Sequence, residues 1–319
     1  MLEDYLKLNQ KELFSLLSKK YRNKALINEG RYILVPGKAP IMLLAHLDTV
    51  HKEPVKHICK SLDGNILMSP QGIGGDDRCG VYALIKAREA SPVKPWLLFT
   101  CDEEIGGVGA DIFAEEHNKG KLPKKLDTLK LLIEIDRKGS KDAVYYDCDN
   151  PELEKYITGK GFVTASGSFS DISVIAPELG VAAVNISSGY YNAHTLHEYI
   201  NRKQLEAVIQ EVIGIIADAA KPDFPKYEYI EKVRKFSNTQ WNKMFNTWKF
   251  SDIIVSTPND LPAELEDMYT DLLGIYSKSE LEELRNEYGN RVIVHMYEEE
   301  FGSLFDENEF WGESSEWHR

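Results

Sequence analysis

Ile41-Met42-Leu43-Leu44-Ala45 runs directly into His46-Leu47-Asp48-Thr49-Val50, and the same arrangement recurs twice before residue 137. Trp96-Leu97-Leu98-Phe99-Thr100 leads into Cys101-Asp102-Glu103-Glu104-Ile105-Gly106-Gly107, and Leu129-Lys130-Leu131-Leu132-Ile133 into Glu134-Ile135-Asp136. Short apolar runs closed by charge or glycine are the pattern of strands buried on both faces of a parallel sheet. Between the first two runs lies Gly74-Gly75-Asp76-Asp77-Arg78-Cys79-Gly80, which opens a stretch of helical character reaching residue 89. In an open α/β sheet, chemistry collects at the carboxyl ends of the strands. Here each such end carries a candidate metal ligand.

Upstream, residues 9–22 have apolar positions at helical spacing behind Asn9, a cap with Glu12 three residues on. Residues 31–35 read as a strand stopped by Pro36-Gly37 and are expected to pair with the strand leading into His46. Residues 61–68 suit a hairpin about Asp63-Gly64. Downstream, helices are expected over 77–90, 111–118 and 151–158, and strands over 143–146 and 180–186. The last of these strands leads to Ser188-Gly189-Tyr190-Tyr191-Asn192-Ala193-His194-Thr195, and Asn201 caps a periodic helix to about residue 220. Alternating strands and helices predict an α/β domain, with a central mixed, mostly parallel sheet flanked by helices on both faces.

Pro222 and Pro225 mark a boundary. The catalytic domain is therefore expected to span 1–222, and 223–319 to form a small acidic α+β appendage. Within the appendage, helices are expected over 227–249, 261–274 and 277–288, and a strand over 291–296.

The whole chain is 319 residues of ordinary globular composition, with a formal charge of −13. From Ser251 onward there are 18 acids against 4 bases, so the excess lies in the appendage, which is expected to bind a protein partner or mediate self-association. The acidic balance argues against nucleic acid as a partner. No run has the length of a membrane span, and residues 1–5 show no secretory pattern, so a cytoplasmic protein is expected. Four irregularly spaced cysteines make neither a disulfide framework nor a thiolate zinc site, and Cys79 and Cys101 read as buried, inert thiols.

His46, Asp76, Glu104, Asp136 and a later histidine mix imidazole with carboxylate. That mixture suits zinc, cobalt or manganese better than calcium, which takes all-oxygen shells. Five ligands exceed what one catalytic zinc needs and suit a pair of ions about 3.5–4 Å apart. In a turn, Glu104 can ligate while its neighbour Glu103 faces substrate as general base. Asp48, two residues after His46 on the same strand face, is placed to hold the other ring nitrogen. Some positions have competitors: Asp77 for Asp76, Glu134 or Asp142 for Asp136, and His197 for His194.

Taken in order, His46-Leu47-Asp48-Thr49-Val50, Gly75-Asp76-Asp77-Arg78-Cys79-Gly80, Asp102-Glu103-Glu104-Ile105-Gly106 and His194-Thr195-Leu196-His197-Glu198 resemble the signatures of the co-catalytic zinc exopeptidases. That superfamily contains aminopeptidases, tripeptidases, carboxypeptidases and N-acyl amino-acid deacylases. The resemblance spans residues 9–220. It implies that His46 and Asp136 bind one ion, Glu104 and His194 the other, and that Asp76 bridges them. It also implies that Glu103 is the general base, that Asp48 orients His46, and that the Asp76–Asp77 peptide is cis. Asp136 and His194 are too close in sequence for the lid domain some relatives insert there, which leaves a minimal catalytic domain.

The implied reaction is amide hydrolysis by a hydroxide held between two divalent ions, most simply removal of an N-terminal residue from a peptide. The alternatives are a carboxypeptidase, dipeptidase or N-acyl amino-acid deacylase with the same site, for which acylated amino acids are the substrates. A further alternative is an inactive metal-binding module that works through its C-terminal region. Arg137, Tyr190, Tyr191 and His197 are the candidates for substrate contact. Asp171, beside Ser170, resembles a pair found in relatives and is expected to give structural support.

Overall fold

The computed structural model describes residues 1–232 apart from Lys52 and Ser168, together with a set of residues between Tyr269 and Tyr297. Side chains two apart on a strand share a face. Accordingly Met42, Leu44, Trp96, Leu98 and Leu132 enter one buried cluster, while Ile41, Leu43, Leu97, Phe99, Leu131 and Ile133 enter another. Both faces of these strands are covered, which is why they read as unbroken apolar runs.

Helices α1 (Leu2–Leu6) and α2 (Gln10–Tyr21) come first, then strands β1 (Leu26–Asn28), β2 (Tyr32–Val35) and β3 (Ile41–His46). Asn9 and Glu12 exchange hydrogen bonds at the start of α2, as their spacing predicts. Hairpin strands β4 (Cys59–Lys60) and β5 (Ile66–Met68) precede α3 (Gly75–Ala90), β6 (Trp96–Thr100) and α4 (Val108–Asn118). Next are β7 (Leu131–Arg137), β8 (Asp142–Val144), α5 (Pro151–Thr158), β9 (Val163–Thr164) and α6 (Asp171–Leu179). The series closes with β10 (Ala183–Ser187), β11 (Tyr190–Tyr191), β12 (Tyr199–Asn201) and α7 (Arg202–Ala219).

The main sheet runs β1-β2-β6-β3-β7-β10-β8-β9, with β6, β3, β7 and β10 parallel at its centre. Side chains of α3 and α7 pack into the cluster on one face, and those of α4 and α6 into the cluster on the other. The four parallel strands deliver their carboxyl ends to a single edge. There His46 pairs with Thr100 and Leu44 with Glu134, so His46 and Asp136 come level. A second, antiparallel sheet in the order β11-β12-β5-β4 carries the loop containing His194.

Two sequence expectations need correction in this part of the chain. β2 pairs antiparallel with β6, not with β3, because β3 already has β6 and β7 as neighbours. Residues 227–232 are extended rather than helical: Tyr227 N donates to the Lys130 carbonyl, Ala182 N donates to the Tyr227 carbonyl, and bridges form between Val181 and Glu228 and between Cys148 and Glu231.

The chain divides into two compact units, one of residues 1–165 with 169–232 and the other of 166–168 with 233–319. In the second unit Tyr269, Leu272, Leu281, Ile293 and Met296 form an apolar cluster. Ile293 and Met296 are helical where a strand was expected, and the helical Tyr297 follows them. Their three- and four-residue spacing is that of a helix face, and it prevails over the β-branched character of Val292-Ile293-Val294. The expected helical residues 233–249 and 261–268 lie outside those described. Among the described residues no helix is long and apolar enough to cross a membrane.

Candidate metal centre

At the carboxyl edge of the main sheet, the carboxylate of Asp76 spans two histidines. Its Oδ1 lies 3.1 Å from His46 Nε2 and its Oδ2 lies 3.3 Å from His194 Nε2. Asp136 Oδ1 is 3.5 Å from the same nitrogen of His46, and Glu104 Oε2 is 3.2 Å from that of His194. Two groups able to hold an ion therefore share Asp76: His46 with Asp136, and Glu104 with His194. Glu103 stands beside the first, with Oε2 3.9 Å from His46 Nε2. The Asp76–Asp77 peptide is cis.

The surrounding chain holds these groups in place. Asp48 Oδ1 meets His46 Nδ1 at 3.2 Å, and its carboxylate also accepts the backbone N–H groups of Glu103 and Glu104 at 3.1 and 3.0 Å. Before this turn, Asp102 adopts a left-handed conformation with φ of 63°, uncommon for a residue with a side chain. Gln10 clamps it from α2, donating to its carboxylate at 2.7 Å and accepting its N–H at 3.1 Å. Asn185 on β10 accepts the N–H of Asp136 at 2.9 Å. Arg78 is buried and donates to the carbonyls of Leu47, Asp48 and Leu8, which fixes the chain just past β3.

The electrostatics follow from burial. Burial alone would raise the carboxyl of Asp76, but His194 and His46 outweigh it and hold the group well below its usual range. Burial would lower His46, but Asp136, Asp48 and Asp76 hold the imidazole well above its usual value. Burial, and then the charge of Asp76, push Asp136 up to about 7. Glu103 is raised well above the carboxylate range, first by burial and then by the charges of Asp136, Asp171 and Glu104, against the pull of His46.

The competitors named from sequence turn elsewhere. Asp77 is fully buried and accepts the N–H of Gly80 at 2.9 Å, inside α3. Glu134 accepts from the Ser170 hydroxyl and, at 3.4 Å, from the N–H of Ile172. Asp142 donates its backbone N–H to the Ser187 hydroxyl oxygen at 2.8 Å, and His197 is exposed. Asp171 accepts from the Thr100 hydroxyl, and burial pushes its carboxyl up to about 6. Among the substrate-contact candidates, Tyr190 is buried and donates to the Asp136 carbonyl at 3.0 Å, while Tyr191 donates to Gln204 at 2.7 Å and stacks on Tyr199. Arg137 ends β7. Cys79 and Cys101 are buried and free. Sequence reasoning gave no role to Gln10, Arg78, Asn185 or Glu198; Arg78 and Glu198 stood inside quoted motifs without a chemistry of their own.

The donor set fits divalent ions of the zinc type, with imidazole nitrogens and carboxylate oxygens from separate residues. Glu104 Oε1 is buried with no hydrogen-bond partner, while Asp136 Oδ1 is met by His46 Nε2 at 3.5 Å. A carboxylate oxygen is costly to bury unpaired, and a cation removes that cost.

No protein-family model matches the sequence, and no curated protein matches it significantly. Solved structures do match. Aminopeptidase PepT from Bacillus cereus is 16% identical, with a TM-score of 0.52 over 69% of this chain and 97% of its own. A tripeptidase from Staphylococcus aureus is 15% identical, with a TM-score of 0.53 over 69% and 96%. A TET aminopeptidase from a marine sediment Thaumarchaeota archaeon is 13% identical, with a TM-score of 0.51 over 66% and 94%. At such identities the likeness is one of fold. About two thirds of this chain shares the α/β fold of these solved peptidases, the fold class its alternating strands and helices predicted.

Proposed function

We propose that this chain is a metal-dependent hydrolase that removes N-terminal residues from peptides. One observation carries the reading: each carboxylate oxygen of Asp76 faces a different histidine, each histidine has a second acid beside it, and Glu103 stands next to the pair. The names of the solved structures that share the fold, aminopeptidases and a tripeptidase, support the choice of reaction.

In this reading His46 and Asp136 hold one ion, Glu104 and His194 the other, and Asp76 both, with zinc favoured over cobalt or manganese. When bound, such ions polarise the scissile carbonyl and acidify water. Glu103 accepts the proton of the attacking water and delivers it to the leaving nitrogen as the amide C–N bond breaks. Its burial helps, because a carboxyl raised above the ordinary carboxylate range is a stronger base toward the attacking water. Asp48 keeps the His46 ring and the Glu103–Glu104 turn in register. Arg137 and His197 are retained as substrate contacts, whereas Tyr190 and Tyr191 serve the walls of the site.

The test is turnover of a panel of free-amine and N-acylated peptides and amino acids by the full chain with zinc, cobalt or manganese added. Cleavage of free-amine peptides supports the aminopeptidase. Cleavage confined to blocked substrates shifts the reading to a carboxypeptidase or deacylase. Metal binding with no turnover of any substrate overturns the enzyme in favour of a binding module.

A further inference from the structure

Glu198 lies just before β12, in the same loop as His194, and is fully buried. A carboxylate so placed needs partners, since an unpaired buried charge is costly. It has three. Oε2 accepts the N–H of Gly74 at 2.8 Å and meets His51 Nε2 at 2.8 Å, and Oε1 accepts the N–H of Asp76 at 3.0 Å. Gly74 opens the turn into α3, where Asp76 and Asp77 have non-helical backbone angles, so Glu198 satisfies backbone donors that this turn would otherwise bury without partners. The approach depends on glycine, because a Cβ on Gly75 would lie 3.1 Å from Glu198 Oε1 and 2.7 Å from the Tyr190 Cβ. A Cβ on Gly72 would strike the His51 ring at 2.2 Å, so that ring is confined between Gly72 and Glu198. The β11–β12 loop therefore grips Asp76 twice, His194 meeting its side chain and Glu198 its backbone.

We infer that Glu198, braced by His51, is the positioning residue for Asp76, locking the start of α3 to the loop that carries His194. The contacts stand independently of the enzymatic reading; the consequence for metal binding and catalysis rests on it.

The test uses the full chain with Glu198→Ala, Glu198→Gln and His51→Ala, each checked for folding by circular dichroism and melting. Three quantities are measured: hydrogen exchange of peptides covering residues 72–78, affinity for zinc, and kcat and KM separately. In Glu198→Ala, exchange at 72–78 is expected to speed up about tenfold or more. Zinc affinity should fall by about 10- to 100-fold, as on loss of other groups that orient metal ligands, and kcat should fall with KM within about twofold. Glu198→Gln, which keeps one acceptor oxygen, should restore part of each loss. If Glu198→Ala does not fold, the two milder variants decide the matter by the same readings. Exchange and zinc affinity within twofold of the parent in a folded variant would overturn the inference, as would a rise in KM at constant kcat. A parent that binds no zinc or turns nothing over overturns the proposed function instead, and the exchange measurement still decides the role of Glu198.

Discussion

Asp48 Oδ2 accepts the backbone N–H of Glu104 at 3.0 Å, so a residue two places past His46 sets the turn on a different strand end. Its other oxygen holds both His46 Nδ1 and the N–H of Glu103. One carboxylate thus ties β3 to the loop after β6. Asp48→Ala is expected to weaken zinc binding by about 10- to 100-fold, the usual result of losing a group that orients a metal-bound imidazole. Isothermal titration of the metal-free protein with zinc checks this, and an affinity unchanged from the parent would count against the arrangement.

Glu103 has a separate task from Glu104, since it stands 3.9 Å from His46 whereas Glu104 faces His194 at 3.2 Å. Glu103→Gln should retain the metal and the fold but lose about 10²- to 10⁴-fold in kcat, the usual contribution of a general base. Steady-state kinetics on a cleaved free-amine peptide, with metal content measured on the same sample, separates this loss from loss of metal.

Much of the fold was legible because β3, β6, β7 and β10 are buried on both faces, and a continuous apolar run ending in His, Asp or Glu has few other readings. The five metal candidates were legible for the same reason, as each follows such a strand or a glycine turn. What was not legible depends on contacts across the fold. No local feature of residues 32–35 says that they pair with β6 rather than β3. Glu198 meets Gly74 and Asp76 across more than a hundred residues, and Gln10 reaches Asp102 from α2. At Ile293 the branched side chain suggested a strand, whereas its burial together with Met296 marks one face of a helix.

Bound metal should stabilise the fold, because the site joins strand ends and a loop that packing alone leaves with an unpaired carboxylate oxygen on Glu104. A ligand present at 100 times its dissociation constant adds about 2.7 kcal/mol. Removing the metal with a chelator should therefore lower the melting temperature by several degrees, at about 2–4 °C per kcal/mol for a domain of this size. Adding zinc back should restore it. A melting curve that ignores both treatments would mean that no ion is held in the folded protein.

Away from the site, Asp218 on α7 accepts from Lys160, Lys221 and Tyr156 at 2.6, 2.7 and 3.0 Å. Lys160 first and then Lys221 hold its carboxyl well below the usual range. A carboxyl depressed on folding contributes stability above its unfolded value of about 3.9 and loses it as pH falls through the lower folded value. The group is partly exposed, so about 1 kcal/mol is expected. Asp218→Asn should melt about 2–4 °C lower at pH 7, with the gap closing below pH 3. A gap that persists in acid would assign the effect to packing instead of charge.

The most direct test of the two-ion account is metal content per chain, measured by elemental analysis after zinc loading and dialysis, for the parent and for Asp76→Asn. The shared position of Asp76 predicts about two ions per chain in the parent, and loss of at least one in the variant with its fold retained. A parent that retains no ion, or a folded Asp76→Asn that retains both, would contradict it.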